Sequence, residues 1–359
     1  MMLLSSIIKQ FKHTLINQHS ARLLPSHYKA LESLGSCRTR QSPLMQAGCD
    51  ECDHQLYIPH SCGHRNCPHC QSHESQQWLE RQLEKRVAAE YFMITFTLPA
   101  QFRSLAWHHQ REVYDLMIQC AWETLKTFCE NDRALRGCAG AIAVLHTHAR
   151  NLDFHPHIHF VIPAAAVDKQ NRWRVKDCEG KRTYLFCHKA LAKVFRAKLL
   201  GAFKDAGLTL PRQYPKAWVV NCKSVGTGAP ALVYLGRYLY RGVIQEKDII
   251  ACQDGKVTYR WVDSDSGDIK TKTLEGAKFL WKLVRHVLPR RFRRARNFGF
   301  LHPNSKTLMK WVRWALPFNS KKFKAPERPP IKCPCCGASM VFVRFKIHPA
   351  DYRRQLALV

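Results

Sequence analysis

The chain has 359 residues, of which 46% are hydrophobic, so it has the length of about two domains and does not fit a mainly disordered protein. Lysine and arginine total 57 against 27 acidic residues, and the formal net charge of +30 predicts a polyanionic partner, nucleic acid before membrane. No apolar stretch is long enough to cross a membrane, and Met1–Ile8 lacks the pattern of a signal peptide. Neither a membrane partner nor a small-molecule substrate is expected.

Predicted elements alternate between short strands and helices, which favours an α+β fold around an antiparallel sheet. A helical, cysteine-rich N-terminal domain is expected over 1–88, a second domain over 89–320, and a Lys/Pro-rich linker with a final cysteine group over 321–359. In chain order the patterns predict a helical segment over 1–48, a helix over 72–89, a strand over 91–98, a helix over 107–129, strands over 140–146 and 157–163, a helix over 190–200, a strand over 217–220, a helix over 231–240, a meander over 249–273 and a helix over 279–287.

The 16 cysteines are clustered, with five between Cys49 and Cys70 and three between Cys333 and Cys336. Clustered cysteines without a secretion signal predict zinc in a reducing compartment rather than a disulfide scaffold. Because four thiolates close a tetrahedral site, this zinc would be structural.

The N-terminal cluster reads C-x2-C, nine residues, then C-x4-C-x2-C, and the outer C-x2-C pairs have the spacing of zinc knuckles. The first choice of ligands is Cys49, Cys52, Cys67 and Cys70, and Cys62 competes with them. Four nearby histidines could substitute as ligands or join a second ion: His54, His60, His64 and His69.

Another half-knuckle lies near the C-terminus at Cys333 and Cys336. Downstream of it only His348 could serve as a further ligand. A second zinc site here would therefore need ligands from elsewhere in the fold.

Two histidines mark the predicted strand HIHFVIP. Since side chains alternate along a strand, His157 and His159 lie on one face and could bind one metal ion. His155 has the same parity but precedes Pro156. The alternative is that these are ordinary exposed strand histidines.

Two tyrosines follow on a predicted helix. Tyr234 and Tyr238 are four residues apart and so lie side by side, while Arg237 and Arg241 form a parallel basic stripe. Two phenols facing one metal ion suit repeated phosphoryl transfer, in which a tyrosine attacks a phosphate and a 5′-phosphotyrosine forms. The alternative is a pair of core tyrosines on an amphipathic helix.

Taken in order, these motifs resemble the HUH endonucleases, and more closely the rolling-circle two-tyrosine transposases of bacterial insertion sequences, which carry an N-terminal transposase zinc-binding domain. The resemblance covers roughly residues 30–300. The matching stretches are CRT at Cys37–Thr39, C-x2-C at Cys49–Cys52, SCGHRNCPHCQ at Ser61–Gln71, YFMITFTLP at Tyr91–Pro99, VLHTHARNLDFHPHIHFVIP at Val144–Pro163, YLGRYLYR at Tyr234–Arg241 and HVLPRRFRRARNFG at His286–Gly299.

The resemblance implies an HUH-type antiparallel sheet over 89–320 that nicks and rejoins single-stranded DNA at element ends with Mg²⁺ or Mn²⁺. It places the metal pair on His157 and His159 and the nucleophiles on Tyr234 and Tyr238. It also implies a bacterial cytoplasmic protein associated with the nucleoid. The third metal ligand is open between His146 on the neighbouring strand and Asp153.

A basic segment over 282–296 holds seven lysines and arginines and no acid, with aromatic residues interleaved, which suits single-stranded DNA. The residues predicted to contact DNA are Arg237, Arg241, Arg290, Arg291, Arg293, Arg294 and Arg296. Two other functions remain open: a non-catalytic zinc-dependent DNA-binding regulator, and a replication initiator or relaxase with the same chemistry.

Overall fold

The computed structural model describes residues 3–178, 184–240, 242–263, 266–315 and 330–351. Arg241, predicted above to contact DNA, and the linker residues 316–329 lie outside these ranges. The helices are α1 Leu4–His19, α2 Pro25–Ser36, α3 Ser72–Leu83, α4 Arg103–His108, α5 Gln110–Asn131, α6 His188–Asp205, α7 Ala229–Tyr240, α8 Gly276–Val284 and α9 Lys306–Ala315. The strands are β1 Leu44–Gly48, β2 Gln55–Pro59, β3 Tyr91–Thr97, β4 Gly137–Ala139, β5 Ala141–His148, β6 Phe154–Pro163, β7 Ala165–Asp168, β8 Trp173–Val175, β9 Val220–Ser224, β10 Ile249–Gln253, β11 Lys256–Val262, β12 Ile269–Glu275, β13 Ala295–Phe298 and β14 Val341–Ile347.

The chain divides into two units that each draw on distant parts of the sequence. The first unit comprises Met1–Glu74, Tyr240–Val287 and Lys324–Val359, and the second comprises Ser75–Leu239 and Leu288–Phe323. Each unit is described separately below.

The second unit is built on a five-stranded sheet in the order β13-β5-β6-β3-β9. Every neighbouring pair in it is antiparallel, which confirms the predicted α+β fold with an antiparallel sheet. The central strands are apolar and buried, as in Phe160 and Ile162 of β6. Helix α6 covers the sheet, and its Phe195 ring packs 4.9 Å from Phe96 of β3.

The register of the sheet places the histidine strand between two polar neighbours. On one side of β6, His146 of β5 pairs with His157. On the other side, Thr95 of β3 pairs with His159. The strands expected over 140–146 and 157–163 are therefore present as β5 and β6, and their histidines lie toward the turn that connects them.

The first unit combines helices with two small sheets. Helices α1, α2 and α8 pack together, and Gly276 at the start of α8 lies so close to α1 that an added Cβ would come within 2.3 Å of the Phe11 ring. The predicted meander is present as the sheet β10-β11-β12. The remaining sheet has the order β14-β1-β2 and joins the two ends of the described chain.

Several predicted boundaries differ from the structure, and the segment expected to be helical over 1–48 ends in strand β1. The helix expected over 72–89 ends at Leu83, and the backbone N–H of Val87 instead donates to the Tyr91 hydroxyl at 2.8 Å. The helix expected over 107–129 is divided at His109, whose φ of −120° and ψ of 45° are not helical. The strand expected over 217–220 begins at Val220, where pairing with Phe96 of β3 starts.

A candidate metal centre beside two tyrosines

Three histidines converge on one point of the sheet in the second unit. His146, His157 and His159 each offer a ring nitrogen, and these nitrogens lie within 4.8 Å of one another. Alternation along β6 puts His157 and His159 on one face, and the register of β5 adds His146. Asp153, the other sequence candidate for third ligand, is not in this group and accepts a hydrogen bond from Asn151 at 2.8 Å.

Hydrogen bonds at Nδ1 fix the orientation of two of these rings. His157 Nδ1–H donates to the backbone carbonyl of His155 at 2.7 Å, and His159 Nδ1 lies 2.8 Å from the Thr95 hydroxyl. Such partners leave Nε2 as the coordinating atom, the usual arrangement around metal-binding histidines. Thr95 was not identified from the sequence, although it belongs to the strand YFMITFTLP that was.

The three rings have the electrostatics of metal ligands rather than of charged histidines. Burial lowers the pKa of His157 to about 4 and of His159 to about 3, and burial with neighbouring histidines holds the pKa of His146 well below its usual value. All three are therefore neutral at pH 7, as coordination requires.

Buried ring nitrogens without a hydrogen-bond partner also indicate a metal-binding role for these histidines. Both ring nitrogens of His146 and Nε2 of His159 are buried without a hydrogen bond from the described residues. Unsatisfied buried nitrogens are costly, and a divalent cation would satisfy them. The residues present therefore fit a metal ion.

Helix α7 carries both tyrosines to this cluster, but in different environments. The Tyr234 side chain is 44% exposed, with its ring 6.2 Å from those of His146 and His159. Tyr238 is less exposed, stacks on His146, and its hydroxyl donates to the His148 carbonyl at 2.8 Å. Burial raises the pKa of both phenols, so both are protonated at neutral pH.

Arg294 lies beside this cluster. Arg294 donates from Nε to the Leu145 carbonyl at 2.9 Å, and its guanidinium lies 5.3 Å from the centre of the Tyr238 ring. Its charge contributes to the lowered pKa of His157. This predicted DNA-binding residue is therefore placed beside the histidine cluster.

The other predicted DNA-binding arginines differ in how freely their side chains could contact DNA. Arg296 forms an ion pair with Asp115. Its charge is thus partly compensated within the unit. The exposed arginines are Arg237, Arg290, Arg291 and Arg293.

Eight cysteines of the first unit form two groups of four. In the first, Cys37 joins Cys62, Cys67 and Cys70, and the Cys37 sulfur lies 3.5 Å from that of Cys67 and 3.4 Å from that of Cys70. In a tetrahedral zinc site, bonds of about 2.3 Å set sulfur atoms about 3.8 Å apart, so this spacing suits zinc. Cys37 was missed because it stands alone in the sequence, with no neighbouring cysteine to mark it.

The second group consists of Cys49, Cys52, Cys333 and Cys336. The first-choice set of Cys49, Cys52, Cys67 and Cys70 is therefore wrong as a single group, because its two pairs lie in different clusters. The two C-x2-C pairs were assigned to one site because they are close in sequence, but the fold places them in different groups. The partners of Cys49 and Cys52 are Cys333 and Cys336. None of the histidines near the N-terminal cysteines belongs to either group among the described residues.

Two family models match different parts of the chain. Residues 140–307 match the family model described as "Putative transposase", and residues 7–98 match the model described as "Transposase zinc-binding domain", of IS91 type.

No helix among the described residues is long and apolar enough to cross a membrane.

Two relatives extend over most of the chain. A protein from Sinorhizobium fredii named as transposase y4qJ is 31% identical over 320 residues, covering 83% of this chain and 79% of the relative. The transposase of insertion sequence element IS801 from Pseudomonas savastanoi pv. phaseolicola is 26% identical over 330 residues, covering 82% and 77%.

Among solved structures, the conjugative relaxase TrwC in complex with oriT DNA matches with 15% identity, covering 64% of this chain and 72% of that one. Its TM-score of 0.27 is too low to establish a common fold. The family matches and the relative at 31% identity decide the assignment, and the chain belongs to the IS91-type transposases of insertion sequences, with an N-terminal zinc-binding domain.

Proposed function

We propose that this transposase cuts and rejoins single-stranded DNA at the ends of its element through 5′-phosphotyrosine intermediates, in a rolling-circle mode of transposition. The observation that carries this proposal is the convergence of three neutral histidines, two buried and one half-buried, beside two tyrosines of one helix. A purely DNA-binding regulator would have no use for this combination.

The cutting step exchanges one phosphodiester for another. The Tyr234 oxygen attacks the scissile phosphorus, the bond from phosphorus to the 3′ oxygen breaks, and the phenol proton ends on the departing 3′-hydroxyl. Joining is the reverse, with a 3′-hydroxyl of another strand attacking the phosphotyrosine and releasing the phenol. Neither step needs an external energy source, because one phosphodiester replaces another.

His146, His157 and His159 would hold a Mg²⁺ or Mn²⁺ ion, which when bound would polarise the scissile phosphate and offset its charge. The chain's own contribution is orientation: Thr95 and the His155 carbonyl fix two of the rings, and α7 fixes the tyrosines. Arg150, whose charge counteracts the raised pKa of Tyr234, adds positive charge near the attacking oxygen.

The ligand set of the zinc-binding domain is part of this proposal. We assign one structural zinc ion to Cys37, Cys62, Cys67 and Cys70, on the sulfur spacing described above. The exposed arginines Arg237, Arg290, Arg291 and Arg293 would contact the DNA backbone. The site of action would be the nucleoid.

A covalent-adduct assay tests the chemistry. The full chain is incubated with labelled single-stranded oligonucleotides that span the two ends of its element, with Mg²⁺ or Mn²⁺, and products are resolved on a denaturing gel. We expect a metal-dependent adduct that is lost in the double variant Tyr234→Phe/Tyr238→Phe. Tyr184→Phe, an exposed tyrosine on a loop, is the matched control and should retain the adduct.

Two outcomes would contradict the proposal. An adduct that persists in the double variant would assign the covalent bond to another residue. Intact DNA binding without any adduct on the cognate ends would favour the non-catalytic regulator.

A further inference from the structure

The C-terminal segment 330–351 pairs with the N-terminal region through a strand whose side chains are mostly exposed. Strand β14 pairs antiparallel with β1, from Leu44 opposite Ile347 to Gly48 opposite Val341. Six of its seven residues are exposed, including Phe345 at 61%. Apolar burial contributes roughly in proportion to area, so it does little to hold this strand in place. Another attachment is needed.

Two cysteine loops beside this sheet have the same backbone conformation. In each C-x2-C loop, the N–H of the first cysteine donates to the carbonyl five residues later, and the residue four positions later has positive φ. The hydrogen bonds are Cys49 to His54 at 2.9 Å and Cys333 to Ala338 at 2.8 Å, and the φ values are 55° at Asp53 and 76° at Gly337. The two loops are thus matched halves of one arrangement, although they come from opposite ends of the chain.

Backbone amides in both loops are aimed at the sulfur atoms. The N–H of His54 donates to the Cys52 sulfur, and the N–H of Ala338 donates to the Cys336 sulfur, again at equivalent positions. Hydrogen bonds of this kind favour the thiolate form, which is the form that binds a metal ion.

The distances between the loops fit a shared ion. The Cys49 and Cys336 sulfurs are 3.4 Å apart, and those of Cys52 and Cys333 are 3.6 Å apart. Both are close to the spacing of about 3.8 Å in a tetrahedral zinc–sulfur site, and far from the bond of about 2.05 Å in a disulfide.

We propose that Cys49, Cys52, Cys333 and Cys336 bind a second structural zinc ion that joins the C-terminal segment to the N-terminal zinc-binding domain. The family match for that domain covers residues 7–98 and so contains only half of this ligand set. The proposal does not depend on the phosphotyrosine chemistry, since it concerns only the first unit.

Cysteine alkylation of the natural protein tests the site without any substitution. Cys335 and Cys336 are adjacent and both exposed, but only Cys336 belongs to the cluster. We expect Cys336 to be alkylated at least about tenfold more slowly than Cys335 in the purified protein, because zinc-bound thiolates are protected. After a strong chelator is added, all four cluster cysteines should become reactive together. Equal rates at Cys335 and Cys336 before chelation, or continued protection of Cys336 after it, would overturn the proposal.

Zinc content measured by elemental analysis provides the second test. The variant Cys333→Ser/Cys336→Ser should hold one zinc ion fewer per chain than the control Cys335→Ser. Any zinc bound elsewhere contributes equally to both proteins, so the difference isolates this site. The proposal fails if the two variants hold the same amount of zinc.

Discussion

The phenol ring of Tyr238 lies flat against the imidazole of His146, with ring centroids 3.4 Å apart and planes inclined by 8°. The Tyr238 hydroxyl donates a hydrogen bond to the His148 carbonyl. Tyr234, one helical turn earlier, has a more exposed side chain whose ring stands 6.2 Å from that of His146. The two tyrosines are therefore unequal before DNA binds, and this inequality predicts a division of labour.

We expect Tyr234 to make the first covalent bond. Tyr234→Phe should reduce the adduct on a single-site oligonucleotide to about 1% or less, because the available nucleophile is removed. Tyr238→Phe should retain that adduct and lose about 1 kcal/mol of stability with the hydrogen bond to His148. Adduct formation on denaturing gels and urea denaturation measure the two effects. The reverse pattern of adducts would assign the first cut to Tyr238.

Thr95 should affect metal affinity without touching the metal. Thr95→Val keeps the shape but removes the hydroxyl that orients His159, and loss of such a partner typically costs 10–100-fold in affinity, on the order of 1–3 kcal/mol. Titration with Mn²⁺ monitored by calorimetry measures the change. Thr95→Ser is the matched control and should restore affinity. An unchanged affinity in Thr95→Val would remove Thr95 from the site.

Cys37 should be required for zinc although no other cysteine lies near it in the sequence. Cys37→Ser should lose one zinc ion per chain because it opens the group formed with Cys62, Cys67 and Cys70. Cys187→Ser, an exposed cysteine outside both groups, should retain the full content. Elemental analysis of the purified full chain distinguishes them, and equal zinc in the two variants would contradict the ligand assignment.

The free energy of unfolding should fall as the pH is lowered, because the pKa of His27 differs between the folded and the unfolded chain. Burial lowers the pKa of folded His27 to about 4, whereas an unfolded histidine titrates near 6.5. Between these values the unfolded chain takes up a proton that the folded chain does not, so the free energy of unfolding decreases by up to about 3 kcal/mol and levels off below pH 4.

The variant His27→Asn isolates this contribution. Its amide oxygen can accept the Leu24 N–H bond that His27 Nδ1 accepts, but it does not titrate. Urea denaturation at pH 5 and pH 7.5 should show a smaller pH difference for the variant than for the natural chain. The same pH difference in both proteins would show that other groups cause it.

Exposed arginines should control how salt affects DNA binding. Replacing Arg290 and Arg293 by alanine should weaken binding to single-stranded DNA and reduce the slope of log affinity against log salt by about 1.4, or about 0.7 per lost phosphate contact. Arg296→Ala is the comparison, and its effect should be smaller because Arg296 is paired with Asp115. Fluorescence anisotropy over a salt series measures the slopes, and equal slopes would contradict a phosphate contact.

Local patterns predicted the parts of the site that lie close together in sequence. Alternation along one strand placed His157 and His159 on a common face, and helical spacing placed Tyr234 and Tyr238 side by side, as the structure has them. His146 could be named as a candidate only because its strand was expected to neighbour theirs. That these residues bind metal and form phosphotyrosines stays a prediction.

The parts that sequence reasoning missed depend on contacts between distant segments. A C-x2-C spacing shows that two thiolates can share an ion but does not say which other pair completes it, and Cys49 finds its partner 287 residues away. Thr95 could be placed in a strand, but its role depends on the register between β3 and β6. Register is a property of the pairing, not of either strand alone.

The wide separation of the matched cysteine loops has a consequence for biosynthesis. Because Cys336 lies 287 residues after Cys49, the ribosome must make that whole stretch before the N-terminal loop can meet its partner loop. A nascent or prematurely terminated chain would carry two unshielded thiols and an uncovered edge at β1. Such a chain is open to oxidation and to aggregation through that edge, so closing the sheet would distinguish a chain synthesised through Cys336 from a shorter fragment.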